Sequence, residues 1–234
     1  MIKALIFDVD GTIADTERAH MAAFNAAFMA EGLGWHWDEP VYRDLLAISG
    51  GKERILHYWQ QVNADVKSMD GTALQDTVDR LHLVKTAAYE QAVRDGAVEM
   101  RPGVLALMQE AREAGLALAI ATTTSPVNIS ALMRQYLGMD WNMHFAVIED
   151  ASTAPHKKPH PQVYQQTLAR LGLDASECVA FEDSENGLRA ATAAGLATVV
   201  TPNSFTEHHD FTGALRIVPD LAQTKLKQVL SWTH

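Results

Sequence analysis

The chain has 234 residues, 47% of them hydrophobic, enough for one large domain or a core with a smaller insert. A formal net charge of −10 at pH 7, with no long Lys/Arg run, argues against nucleic acid or an anionic membrane as partner. The one cysteine, Cys178, excludes an intrachain disulfide, and no apolar stretch is long enough for a bilayer span or an N-terminal signal, so a cytoplasmic protein is expected.

Residues 4–7 (Ala-Leu-Ile-Phe) are apolar on both faces, as a central parallel strand covered by helices requires, and they run into Asp8-Val9-Asp10-Gly11-Thr12. From 16 to 95 the spacing predicts helices only. Met21, Phe24 and Phe28 share one face, ended by Gly32. Asp38 caps a second helix with Val41, Leu45 and Leu46. Gly50-Gly51 precedes a third with Ile55, Leu56 and Trp59, and Leu74, Val78 and Leu81 mark a fourth. After this insert the pattern alternates. Helices are expected at 102–114, from the Ser125-Pro126 cap to Leu137, and at 163–171, 187–194 and 225–232. Strands are expected at 116–121, 145–148, 178–181, 197–200 and 217–218. The expected fold is therefore α/β, a doubly wound parallel-sheet (Rossmann-like) core of residues 1–15 and 96–234 with an inserted α-helical cap at 16–95.

In such sheets ligands bind beyond the carboxyl ends of the strands. Asp8, Asp10 and Thr12 follow the first strand there, and Thr122, Thr123 and Thr124 follow the second. Lys157 or Lys158 follows the third, and Glu182 and Asp183 the fourth. Crowded carboxylates raise one another's pKa unless a cation intervenes, and an all-oxygen set without His or Cys suits Mg2+ better than zinc. Taken singly, Asp-x-Asp-Gly also fits a calcium-type loop, and Glu182-Asp183-Ser184 a helix N-cap.

The order of these residues resembles the haloacid dehalogenase superfamily over nearly the whole chain. The resemblance implies that Asp8 is the nucleophile that becomes an aspartyl phosphate and that Asp10 is the general acid and then base. It implies that Thr122 holds the transferring phosphoryl and Lys158 neutralises charge. Asp8, Asp10, Glu182 and Asp183 would hold the metal, Asp10 through its backbone carbonyl and Glu182 directly or through water. Trp35-His36-Trp37-Asp38, Tyr42-Arg43, Gly50-Gly51-Lys52-Glu53-Arg54-Ile55 and Ala121-Thr122-Thr123-Thr124-Ser125 are similar to the CbbY-type phosphatases, which act on xylulose-1,5-bisphosphate. That narrower likeness implies a small phosphorylated sugar as substrate. Glu17, His20 and Tyr42 are candidates to read it, with Gly50, Gly51, Lys52 and Arg54 for a distal phosphate. Thr123, Thr124 and Arg134 are further candidates on the core side. A phosphomutase would use the same Asp8 and Asp10, and a phosphoacceptor signalling module would need no eighty-residue cap. A monomer is compatible with the composition.

Overall fold

The computed structural model describes residues 1–63 and 71–233. Two compact units divide the chain: Met1–Thr16 with Val98–His234, and Glu17–Ala97. In the first unit the chain forms β1 (Ala4–Phe7) and β2 (Ala14–Asp15), then enters the second, with α1 (Glu17–Ala30), α2 (Glu39–Leu45), α3 (Gly51–Val62) and α4 (Gly71–Arg94). Back in the first unit come β3 (Glu99–Met100), α5 (Val104–Glu113), β4 (Ala117–Ala121), α6 (Pro126–Leu137) and β5 (Val147–Glu149). They are followed by α7 (Gln162–Leu171), β6 (Cys178–Glu182), α8 (Glu185–Ala193), β7 (Ala197–Val200), β8 (Arg216–Ile217) and α9 (Leu226–Trp232).

The first unit is built on a six-stranded parallel sheet in the order β5-β4-β1-β6-β7-β8. β1 is buried at every residue, which explains its unbroken apolar run: both faces are covered. Its last residue, Phe7, lies in register with Ile120 and Phe181, and the Phe7 and Phe181 rings stack at 4.6 Å. The helices begin where the sequence offers side-chain caps. Ser125 Oγ accepts from Asn128 N at 3.3 Å, and Ser184 Oγ accepts from Gly187 N at 3.2 Å. The second cap starts α8 at Glu185, two residues before the predicted start. The strand expected at 145–148 is shifted to Val147–Glu149, because a 3-10 turn at Trp141–His144 occupies the approach. A two-stranded antiparallel ribbon, β2 with β3, pairs Ala14 with Met100 and Asp15 with Glu99. Two-residue strands carry no periodicity, so the sequence offers no sign of it.

The second unit is all helical among its described residues. Its interior is aromatic: Phe24, Phe28, Trp37 and Tyr42 are fully buried, with ring centroids 4.6 Å apart for Phe24–Trp37 and 4.9 Å for Phe28–Trp37. Asn25 locks the entry of Trp37, donating to its carbonyl and accepting from its amide, both at 2.8 Å. Asp38 caps α2 as its position predicts, accepting from Val41 N at 3.0 Å. Among the described residues no helix is long and apolar enough to cross a membrane.

Candidate active site

β1 sends its connection toward β4, whereas β6 sends its connection toward β7 on the other side. Between the carboxyl ends of β1 and β6 the strand order therefore reverses, the place where sheets of this kind bind ligands. Asp8 is the first residue after β1, Glu182 is the last of β6, and Asp183 follows it. Parallel register brings all three together, with one carboxylate oxygen from each within 4.8 Å of the others. All three are buried, and Asp10 is half-buried.

The structure resolves the choice between the two lysines. Lys158 Nζ donates to Asp8 Oδ1 and to Glu182 Oε1, each at 2.6 Å, and to the Ala121 carbonyl at 2.9 Å. Burial opposes the charge on Lys158, but Asp8 and Glu182 outweigh it and raise its pKa. Burial also pushes Asp8 up to about 7; the charges of Glu182 and Asp10 add to the rise, and Lys158 works against it. The Lys158 ammonium bonds two of the three clustered carboxylates, Asp8 and Glu182. Such a cluster could hold a hard divalent cation, and a donor set of carboxylate oxygens without His or Cys fits magnesium.

Three supporting groups escaped the sequence reading. The Tyr164 hydroxyl donates to Glu182 Oε1 at 2.5 Å, and the Lys158 ammonium lies 5.1 Å from the centre of the Tyr164 ring. Burial first, and the Glu182 charge second, hold the Tyr164 hydroxyl well above its ordinary pKa, so it stays a donor. Asn203 Nδ2 donates to Asp183 Oδ2 at 2.8 Å. Arg101 donates to the Gly11 carbonyl at 2.6 Å. None belongs to a local motif; the signal is a polar side chain placed beside the sheet edge by the fold.

Two glycines are fixed by close approach. A Cβ on Gly187 would lie 1.9 Å from Glu182 Oε2, so α8 must start without a side chain there. Gly11 has φ +78°, and a Cβ on it would lie 2.3 Å from Asp183 Oδ2. The glycine of the first motif thus makes room for the carboxylate of the fourth.

The threonines lie at the same edge. Thr122 is buried, its amide donates to the Glu149 carbonyl at 3.0 Å, and its hydroxyl accepts from Thr124 N at 3.3 Å. Thr123 and Thr124 are half-buried, and Thr124 Oγ1 accepts from Asn128 Nδ2 at 3.1 Å. Arg134 is exposed in the last turn of α6, and that helix carries it about 12 Å along its axis from the end near the strand termini. It does not join this cluster.

In the helical unit Glu17, Tyr42 and Arg54 come together: the Tyr42 hydroxyl donates to Glu17 Oε2 at 2.7 Å, and Arg54 Nη1 donates to the Tyr42 oxygen at 3.1 Å. The rest of the Arg54 fork donates to the Leu45 and Ile48 carbonyls at 3.0 and 3.1 Å. His20 is buried, stacked on Tyr89 at 4.0 Å, and Lys85 Nζ lies 2.8 Å from its Nδ1, a partner the sequence reading missed. Lys52 is exposed and paired with Asp79 at 2.7 Å, apart from the Glu17 group. Gly50 takes φ +99° ahead of α3, and Gly51 fits closely against His82.

The haloacid dehalogenase-like hydrolase family matches residues 2–195. The chain is 54% identical over 220 residues to protein CbbY, plasmid, of Cupriavidus necator, covering 94% of this chain and 86% of that one. A crystal structure of a mutant CbbY from Rhodobacter sphaeroides in complex with xylulose-(1,5)bisphosphate superposes with a TM-score of 0.87 at 40% identity, over 97% of this chain and 98% of that one. A β-phosphoglucomutase from Clostridium difficile superposes with a TM-score of 0.80 at 23% identity, covering 100% of this chain and 97% of that one, a likeness of fold alone.

Proposed function

The chain belongs to the haloacid dehalogenase-like hydrolases, and from that premise we propose that it cleaves xylulose-1,5-bisphosphate to xylulose 5-phosphate and inorganic phosphate through Asp8. The observation that carries the mechanism is Lys158, held 2.6 Å from both Asp8 and Glu182 at the carboxyl ends of β1 and β6. A carboxylate there has the charge, the burial and the cationic neighbour that in-line attack on phosphorus requires.

An Asp8 oxygen attacks phosphorus, and the bond from phosphorus to the sugar oxygen breaks. Asp10 gives that oxygen its proton. Asp10 then takes a proton from water, the water oxygen attacks phosphorus, and the bond from phosphorus to Asp8 breaks. Lys158 offsets the negative charge that builds on the phosphoryl group, and the Thr122 hydroxyl, with Thr123 and Thr124 beside it, positions it. Asp8, Asp183 and the Asp10 carbonyl, with Glu182 direct or through water, would hold a magnesium ion that neutralises phosphoryl oxygens when bound. Glu17, His20, Tyr42, Gly50, Gly51 and Lys52 are the candidates of the helical unit for the sugar hydroxyls and the second phosphate.

The test is incubation with xylulose-1,5-bisphosphate and magnesium, with both products identified by mass spectrometry. One equivalent each of free phosphate and xylulose 5-phosphate is expected. Chelator should stop the reaction, and Asp8→Asn and Asp10→Asn should abolish turnover without altering the circular dichroism spectrum. Wild-type turnover in folded Asp8→Asn rules out the covalent route. An isomeric sugar phosphate formed without free phosphate would mean a mutase.

A further inference from the structure

Arg101 is the second residue after Glu99, on the segment that leaves β3 for α5, and nothing in its local sequence marks it. Its backbone amide donates to the Ile13 carbonyl at 2.9 Å. Its guanidinium donates to three carbonyls far apart in sequence: Gly11 at 2.6 Å, and Pro202 and Pro219 at 2.9 Å each. Gly11 belongs to the turn after β1, Pro202 to the loop after β7, and Pro219 to the loop after β8. One planar fork thus ties three loops at the carboxyl edge of the sheet.

Two of those loops meet at Asp183. Pro202 precedes Asn203, whose Oδ1 accepts from Phe205 N at 2.8 Å and whose backbone amide donates to Thr206 Oγ1 at 3.1 Å. With Oδ1 engaged by Phe205, the Asn203 NH2 is turned toward Asp183 Oδ2, 2.8 Å away. Beside that amide the Gly11 turn approaches the same oxygen, so closely that a Cβ on Gly11 would lie 2.3 Å from Asp183 Oδ2 and 2.7 Å from Asn203 Nδ2. The Asp183 carboxylate is therefore oriented by an amide and a bare turn, both referenced to one arginine.

We propose that Arg101 and Asn203 are positioning residues for the metal-binding carboxylate Asp183, setting the affinity of the site for a divalent cation without touching cation or substrate. The proposal rests on the reading of Asp183 as a metal ligand, and its experiment separates the two. Outer partners of metal ligands typically set affinity by about 10- to 100-fold.

Magnesium binding is measured by titration calorimetry on the chelator-treated full chain, well below the melting temperature, so that lost stability alone does not alter the result. Arg101→Gln is expected to weaken binding by about 10- to 100-fold, with Arg101→Lys in between. Asn203→Leu, which keeps volume and removes the donor to Asp183, is expected to weaken it by about tenfold. In both, the dependence of turnover on magnesium should shift to higher concentration, with kcat at saturating magnesium restored to within about threefold. If Arg101→Gln fails to fold, Asn203→Leu decides. Magnesium affinity equal to wild type in the folded variants overturns the proposal, whatever their melting temperatures. Asp183→Asn distinguishes the failures. If it too binds magnesium normally, the metal assignment falls as well; if it alone loses binding, only the roles of Arg101 and Asn203 fall.

Discussion

Lys158 is buried between Asp8 and Glu182, so removing its charge leaves two carboxylates facing each other with little water. Breaking a buried ion pair from one side typically costs about 3–5 kcal/mol. Lys158→Met should therefore lower stability in urea by about that amount, and magnesium should restore part of it. Lys157 is only half-buried, so the same loss of charge is better screened by water and Lys157→Met should cost less than Lys158→Met. Equal losses would mean that the cluster is not held by Lys158. Adjacent loop residues have no periodicity to separate the two lysines, so in the sequence only the family resemblance, on the lysine directly before Pro159, favours Lys158. Asp8, Glu182 and Asp183 are legible because strand ends convert order in the chain into proximity. Tyr164, Asn203 and Arg101 act through contacts 18, 20 and 90 residues away, which no local pattern announces.

At the start of α3 the two cations expected to bind phosphate are placed differently. Arg54 holds the carbonyls of Leu45 and Ile48 and the Tyr42 hydroxyl, so its fork stabilises the turn between α2 and α3. Lys52 makes an exposed pair with Asp79, and such pairs are worth only about 0–1 kcal/mol, so a phosphate can displace the aspartate. Lys52→Ala should thus leave the melting temperature nearly unchanged and depress kcat/KM for xylulose-1,5-bisphosphate by about tenfold or more, sparing p-nitrophenyl phosphate. Arg54→Ala should lower stability by about 1.5–3 kcal/mol and reduce turnover of both substrates. A selective loss in Arg54→Ala with none in Lys52→Ala would reverse these roles. Helices were legible from their caps, Asp38 and Ser125 among them, because capping is a local hydrogen bond between neighbours in sequence. The carbonyls that Arg54 reaches are six and nine residues away across a bend, and sequence spacing does not give the shape of a bend.

For the whole molecule, Cys178 offers a built-in probe. It is the one thiol in the chain, it opens β6 with 1% exposure, and burial pushes its pKa up to about 11, with Glu177 adding to the rise. Alkylation at pH 8 should be slow in the native protein and should follow the global unfolding curve as urea is added. Fast native labelling would place the opening of this sheet well below the global unfolding free energy. The doubly wound sheet was legible because alternating apolar runs and amphipathic stretches admit few other arrangements. The β2–β3 ribbon was not, yet it has a consequence for how the chain could be rewired. Ala14 faces Met100 and Asp15 faces Glu99 in antiparallel register, so the polypeptide leaves the sheet unit and returns to it at one place. Paired residues of this kind lie only about 5 Å apart, the span that a two-residue Asn-Gly turn closes. Replacing residues 16–98 with Asn-Gly should therefore yield a miniature protein that melts cooperatively by circular dichroism, binds magnesium and hydrolyses aryl phosphates without discrimination. A broad, non-cooperative melt would show that the sheet unit needs its insert to fold. Topologically, the whole helical unit occupies the place of a hairpin loop, and loop-closure entropy grows only with the logarithm of loop length, so the sheet bears little added cost for carrying a second unit there.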